Sequence, residues 1–382
     1  VSRWEKVRLG DVSTINMGQS PDSSYYNQVG EGIPFYQGNA DFGDIHPETR
    51  YYCSKPTKIA NAGEVLISVR APIGALNISN EICCIGRGLA SIQSNEKISD
   101  NKYIYYVLKA KNKELQLKGT GSTFKSISKK TLLDFEIPLP PLEVQQQIAT
   151  TMDAAAELLA MRKQQLAELD ELIKSVFYEM FGDPVTNDKG WEQGGIKDLA
   201  EKLQYGTSKK ATTKETKYPI LRMNNITYSG TMDFSDLKYI DLDEKETAKY
   251  LVHKGELLFN RTNSKELVGK TAVYRENTPM AYAGYLIKLT PNQRANSEFI
   301  SGFLNSLYGK KLLYQMAKSI VGMANINAKE LSNIKIYIPP LELQNEFANI
   351  VTKIEEQKVL VRQAIDETQQ LFDSLMSQYF DD

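Results

Sequence analysis

The sequence predicts an α+β protein built twice, and three observations carry that prediction. Shifting the chain by 199 residues aligns 127–183 with 326–382 without a gap and with 17 identities in those 57 positions. Each aligned segment holds a long run free of proline and glycine, with apolar residues stepping by four and three. Upstream of each run lies a longer block of short β-type stretches punctuated by Gly, Pro, Asn and Asp. The boundaries expected from these signals are 1–139 for the first β-rich block, 140–183 for the first long helix, 184–338 for the second block and 339–382 for the second helix.

In the first block, Glu64–Val69 and Ala90–Gln93 read as strands, and Lys102–Lys111, rich in Tyr and Leu, reads as a helix. Its aromatic residues Tyr103, Tyr105 and Tyr106 are expected in the core rather than on a base-stacking platform. The densest part of the repeat follows, IPLPPLEVQQQIA at 137–149 against IYIPPLELQNEFA at 336–348. Pro140-Pro141 and Pro339-Pro340 suit the start of a helix, where a missing N–H costs nothing. Glu143 and Glu342 then face the positive end of the helix dipole. The first helix runs on to Phe181, roughly 39 residues and about 58 Å, and Gly182 with Pro184 supplies the stop. Its seam reads Ile148, Met152, Ala155, Leu159, Arg162, Leu166, Leu169, Ile173, Val176, Met180.

The second block repeats these signals at Glu256–Asn260 and Tyr285–Leu289, with a helical stretch over Glu298–Gln315 containing the core candidates Phe299 and Phe303. Its long helix has the seam Phe347, Val351, Ile354, Lys358, Val361, Ile365, Thr368, Phe372, Leu375, Tyr379. A period of 3.5 held this long is a coiled-coil seam, and two such helices in one chain are expected to pair. Arg162, Lys358 and Thr368 interrupt it and can fix its register. Other matches are Trp4-Glu5 with Trp191-Glu192, Gly63-Glu64 and Leu66 with Gly255-Glu256 and Leu258, Pro34 and Asn39 with Pro219 and Asn224, and Phe181 and Asp183 with Phe380 and Asp382.

Composition narrows the function. The 41% apolar and 24% charged content is that of an ordinary globular chain. No apolar run is long enough for a membrane span, and residues 1–20 lack a signal-type stretch, so a cytoplasmic protein without a membrane is expected. Cys53, Cys83 and Cys84 form no CxxC pair, and His46 and His253 are the only histidines, so neither a disulfide framework nor a multi-His metal site is expected. The net charge of −1 conceals an alternation: +3 over 1–141, −5 over 142–183, +7 over 184–340 and −6 over 341–382. Basic blocks suit phosphate contact, although solvated lysine-rich faces are common.

Catalytic motifs fail in turn. Gly269–Thr271 resembles the end of a P-loop, but position 264 is serine where the first glycine belongs. There is no Asp/Asn-Pro-Pro-Tyr/Phe for amino-methyl transfer, and Pro21-Asp22 lacks the downstream Glu-x-Lys of a metal-dependent nuclease. No GxSxG occurs, and Gly119-Thr120-Gly121-Ser122 is a weak loop signal. The expectation is a chain with no catalytic residues, no metal and no cofactor of its own. A coiled-coil scaffold joining two protein-binding domains stays open as a rival, as does an enzyme with an unrecognised site.

A duplicated Trp-led, Gly-rich block followed by an I-P-L-P-P-L-E-x-Q helical block resembles the specificity subunit of type I restriction-modification systems. The resemblance covers essentially the whole chain. It is carried by Ile137–Gln145 with Gly121-Ser122-Thr123-Phe124-Lys125-Ser126-Ile127-Ser128 before it, and by Ile336–Gln344 with Asn325-Ile326 before it. The second copy departs from the pattern at Gly322-Met323-Ala324-Asn325. The resemblance implies two target recognition domains, each reading one half of a bipartite, asymmetric double-stranded DNA sequence. It also implies that the two long helices pack as an antiparallel coiled coil in a pseudo-two-fold repeat, set the spacing and dock two methyltransferase subunits. Restriction/translocase subunits complete the assembly, with S-adenosylmethionine, ATP and Mg expected on those partners. Within that frame the DNA-binding candidates are polar residues near the Gly-rich loops, since Arg and Lys suit guanine while Asn and Gln suit adenine. They are Gln19, Ser20, Asn39, Arg70, Arg87 and Lys125 in the first domain. In the second they are Ser208, Lys209, Lys210, Arg222, Asn224, Asn225, Arg261, Lys265 and Asn325. Each is weighed against a solvated or structural role. Arg70 and Arg261, which follow the matching Gly-Glu-x-Leu strands at similar distance, rank first.

Overall fold

The computed structural model describes residues 4–120, 125–320 and 322–381. Gly121, Ser122, Thr123, Phe124 and Asp382, which carry part of the repeat, lie outside the described residues. The chain divides into two compact units, Val1–Arg162 with Ala364–Asp382, and Lys163–Gln363. Each unit therefore contains one β-rich block and parts of both long helices.

In the first unit, Ser13–Met17, Leu89–Ser94, Val65–Ser68 and Leu76–Ile78 form an antiparallel sheet in that order. The inward-facing side chains of Ile15, Val65, Ile67, Ala90 and Ile92 are at most 2% exposed and pack on the helix Asn101–Ala110. Asp100 caps that helix by accepting from the Tyr103 amide. A second sheet runs Tyr26–Asn27, Tyr52–Cys53, Ile33–Tyr36, Cys83–Ile85, Ile59–Ala60, with a parallel pairing of Phe35 and Tyr36 to Cys84 and Ile85. Lys6–Arg8 closes the block by pairing with Glu136–Pro138, just before the long helix.

The second unit repeats this plan. Its antiparallel sheet is Ala200–Tyr205, Leu286–Pro291, Leu257–Asn260, Thr271–Val273. Its second sheet is Lys238–Ile240, Tyr218–Leu221, Met280–Tyr282, Leu251–Val252, again with one parallel pair, Ile220 and Leu221 against Ala281 and Tyr282. Glu192–Gly195 pairs with Lys335–Ile338 as the closing ribbon. The expected strands fall within two residues of those observed, and Tyr103, Tyr105, Tyr106, Phe299 and Phe303 are all buried. The helix expected over Glu298–Gln315 is instead two helices, Ser297–Asn305 and Leu307–Met316. Ser306 breaks it: its backbone is extended, and its hydroxyl accepts from the Gly309 amide as the cap of the second piece.

The long helices span Leu142–Phe181 and Leu341–Phe380. Gly182 ends the first at φ +79, donating its amide to the Tyr178 carbonyl. Every seam position is buried or half-buried. In each unit the two helices run antiparallel. In the first unit, Ile148, Met152 and Ala155 share a core with Phe372 and Phe380. In the second, Asp170 meets Lys358 while Phe177 meets Phe347, with ring centroids 5.7 Å apart. The three polar interruptions are all satisfied. Lys358, 1% exposed, places its ammonium 2.6 Å from Asp170 and 2.7 Å from Glu355. Arg162 and Thr368 both donate to the Ala364 carbonyl. No helix is long and apolar enough to cross a membrane among the described residues.

One buried residue in each repeat ties block to helix. The Gln145 amide is fully buried, donates to the Ile98 and Pro140 carbonyls and accepts from the Asp100 amide at 3.1 Å. Gln344 does the same with Arg294, Pro339 and the Asn296 amide at 2.9 Å. Replacing Gln145 or Gln344 by alanine strands these buried backbone groups. Either variant is expected to lose about 1–3 kcal/mol of stability, read as a lower urea midpoint. Gln146→Ala, on the exposed side of the same turn, should stay within about 0.5 kcal/mol.

Candidate nucleic-acid interface

In the first unit the chain gathers polar residues where the two sheets meet. After Val65–Ser68 the Val69 amide donates to the Gly88 carbonyl, holding the Arg70 turn beside the Arg87-Gly88 turn. The Ser68 hydroxyl shares its one hydrogen between the Arg70 and Pro72 carbonyls, at 2.9 and 2.8 Å, and so ties that turn together. Ser20 accepts from the Arg87 amide at 3.3 Å. Gly88 allows the close approach of the neighbouring loop, because a Cβ there would stand 2.3 Å from the Gln37 carbonyl oxygen. The result is a cup of about 230 Å³ bordered by Ser20, Gln37, Asn39, Ser68, Arg70 and Arg87. Four of the six first-domain candidates thus converge. Gln19 is exposed beside the cup, with its carbonyl accepting from Thr57. Lys125 is exposed but does not border the cup.

The cup borders no carboxylate. The nearby Asp41 is 4% exposed and fully engaged, accepting from the Gln37 amide and the Arg50 guanidinium. Neither Arg70 nor Arg87 has a side-chain partner among the described residues. Two guanidiniums without a counter-ion beside neutral amides and a hydroxyl favour a ligand that offers acceptors.

The second unit arranges its candidates differently. Arg261 lies over the Tyr205 ring, 4.9 Å from its centroid, and donates to Asn325 Oδ1 at 3.4 Å. Asn325 in turn donates to the Thr262 hydroxyl at 2.8 Å. Lys265 sits 4.6 Å above the Tyr314 ring. Ser208, Lys210 and Asn224 are exposed. Lys209 is held by Glu246 at 2.7 Å, and that contact raises its ammonium above the ordinary lysine value. Arg222 is paired with Asp236 at 2.7 Å. Asn225 is 1% exposed and fully used by the fold: it accepts from the Arg222 amide and donates to the Asp233 and Asp236 carbonyls. It is therefore a turn residue with nothing left for a base. Lys270 of the P-loop-like triplet donates to the Met223 carbonyl, and burial lowers its pKa. Among the described residues no His, Cys, Asp and Glu group is arranged to hold a metal.

Shared backbone bonds show which positions correspond. The Ile127 amide donates to Val69, and the Ile326 amide donates to Arg261. Arg70 bridges Ser126, and Thr262 pairs with Asn325. Arg261 is thus the counterpart of Val69, and Arg70 that of Thr262. The two arginines ranked first therefore stand one residue apart in register and do not occupy equivalent positions. Spacing from the Gly-Glu pair could have revealed this, since that pair recurs at a shift of 192 while the arginines recur at 191. Tyr205, Gln37 and the Asp41–Arg50 pair carried no sequence signal and emerge only from the fold.

Two repeated β-rich domains on paired long helices, with polar clusters at the sheet junctions, define a class of duplicated recognition proteins. The chain belongs to the family of the type I restriction modification DNA specificity domain, whose model matches residues 1–171 and 188–369. It is 43% identical over 175 residues to a putative type I restriction enzyme MjaX specificity subunit of Methanocaldococcus jannaschii. That match covers 45% of this chain and 41% of the relative, so the aligned part spans less than half of that protein. Over 98% of this chain and 91% of the relative, it is 23% identical to the MjaIX specificity subunit of the same organism. The fold is similar to that of a type I restriction-modification S subunit from M. genitalium, with a TM-score of 0.66, 16% identity, and coverage of 100% and 96% of the two chains. A second chain, from a structure of type I R-M complex assembly, matches with a TM-score of 0.58 and 16% identity over 99% of this chain and 98% of that one.

The contrast between Asn225 and its exposed neighbour is measurable. Asn225→Ala is expected to cost about 1–3 kcal/mol of stability through its stranded carbonyls, seen as a lower thermal midpoint. Asn224→Ala should leave stability within about 0.5 kcal/mol.

Proposed function

We propose that this chain is the DNA-reading, non-catalytic subunit of a type I restriction-modification complex, with each β-rich domain reading one half of a bipartite target. The observation that carries the proposal is duplication with divergence. The two domains share sheets, helices and the buried glutamine, yet differ where side chains are free to meet a ligand. Arg70 corresponds to Thr262, and by the shared bonds of Leu89 and Leu286, Arg87 corresponds to Gly284. A repeated frame with different reading residues suits two different half-sites. Phosphate contacts from the basic blocks would supply affinity, and side chains at the sheet junctions would supply sequence.

In this reading the long helices are the ruler and the docking surface. Their net charges of −5 and −6 repel duplex phosphate and suit a protein partner, here two methyltransferase subunits. Restriction/translocase subunits join through that assembly in the cytoplasm, and S-adenosylmethionine, ATP and Mg chemistry belongs to the partners. The scaffold rival accounts for the helices but leaves the counter-ion-free arginines of the first domain unused.

Two experiments test the proposal. The purified chain alone should transfer no methyl group to adenine in duplex DNA, and the chain with its methyltransferase subunit should do so at a bipartite site. Transfer by the chain alone would overturn the non-catalytic reading. Inserting four residues after Ala160 and four more after Ala364 preserves the antiparallel pairing and adds about 6 Å. The non-specific gap in the target is expected to lengthen by about two base pairs with both half-sites unchanged. An unchanged gap would show that the helices do not set it.

A further inference from the structure

We infer that the cup of the first domain reads a guanine through its major-groove edge, with Arg70 and Arg87 as the specificity-determining residues, and that the second domain has no such reader. This rests on the proposed DNA-reading role and names the base chemistry behind it. Guanine presents two acceptors, O6 and N7, side by side in the major groove, and a guanidinium presents paired donors at matching spacing. Both arginines border one cup, neither has a partner among the described residues, and Asp41, which bonds the Gln37 amide, is already paired with Arg50. The remaining wall fits the other half of a G·C pair, because the amide oxygens of Gln37 and Asn39 can accept from the cytosine amino group.

A phosphate clamp would need only the cations, and acceptor oxygens around it would be repulsive. The cup supplies both donors and acceptors. An adenine reader would rely on Asn or Gln alone and leave two guanidiniums facing the N6 amino group. The turns are also built to hold still: the one Ser68 hydroxyl hydrogen is shared between the Arg70 and Pro72 carbonyls, and Ser20 accepts from the Arg87 amide. In the second domain Thr262 and Gly284 occupy the equivalent positions, while Arg261, one residue earlier in register, is stacked on Tyr205 and bonded to Asn325. The two half-sites should therefore differ in their dependence on guanine.

The test selects bound duplexes from a randomised library, using the full chain with its methyltransferase subunit, and compares wild type, Arg70→Ala and Arg87→Ala. The wild type should select a bipartite site with a G·C pair in the first half. Each variant should bind that site about 5- to 150-fold more weakly and lose its preference at one base pair, with the second half unchanged. Replacing that guanine by 7-deazaguanine, which lacks N7, should weaken the wild type and leave the variant of the contacting arginine nearly unaffected. Both residues are exposed, and unchanged thermal midpoints would confirm folding. If the variants bind all sequences equally weakly with a salt slope smaller by about one, they contact phosphate and the guanine reading is overturned. A first half-site without a G·C pair, or variants with wild-type selectivity, overturns it too and leaves the DNA-reading role standing. A wild-type complex with no sequence selectivity would overturn both.

Discussion

The buried glutamine at the start of each long helix is the contact on which the architecture depends. Gln145 and Gln344 sit four residues after Pro141 and Pro340, and each joins three pieces of backbone: the helix start, the loop after the sheet, and the entry to the capped helix of its domain. An amide has two donor hydrogens and one accepting oxygen, and here all are used out of water. Such a group tolerates no shift of the sheet relative to the helix, because any displacement strands a buried polar atom. That rigidity makes the long helix a fixed extension of its domain. It also explains why the P-P-L-E-x-Q stretch is the best-matched part of the repeat.

Rigidity at that joint shapes the helix pair as well. Lys358 lies in a seam that apolar residues would fill more cheaply, yet it is held by Asp170 and Glu355 with almost no exposure. Removing one partner from such a buried group is costly, so only one register satisfies it. In the first unit the Ala364 carbonyl plays a comparable role by accepting from Arg162 and Thr368. Lys358 and Arg162, whose bonds cross to the other helix, are thus register devices, while Thr368 bonds back within its own helix.

The candidate residues of the interface follow a different logic. They sit on turns at the ends of strands, where the sheet fixes the backbone while the side chain stays free of packing. Divergence there leaves the shared frame untouched, which is how one scaffold carries an arginine pair in one domain and an Arg261–Tyr205–Asn325 cluster in the other.

The sequence by itself determined the duplication, both long helices, their seam and their pairing, because helical period and repeat matches are local or one-dimensional signals. It also placed Ser20, Asn39, Arg70 and Arg87 among the candidates, since charge and Gly-rich turns are visible in composition. Tertiary structure alone decided which candidates remain available. Asn225 and Arg222 look like readers in sequence, but Asp233 and Asp236, eight to fourteen residues further on, claim them. Arg70 and Arg261 look equivalent, but the backbone pairing sets them one residue apart. The break at Ser306 and the clamp at Gln145 were equally hidden. A side chain's hydrogen-bond partners are set by how the chain folds around it, and composition and charge do not record whether a polar group is already satisfied.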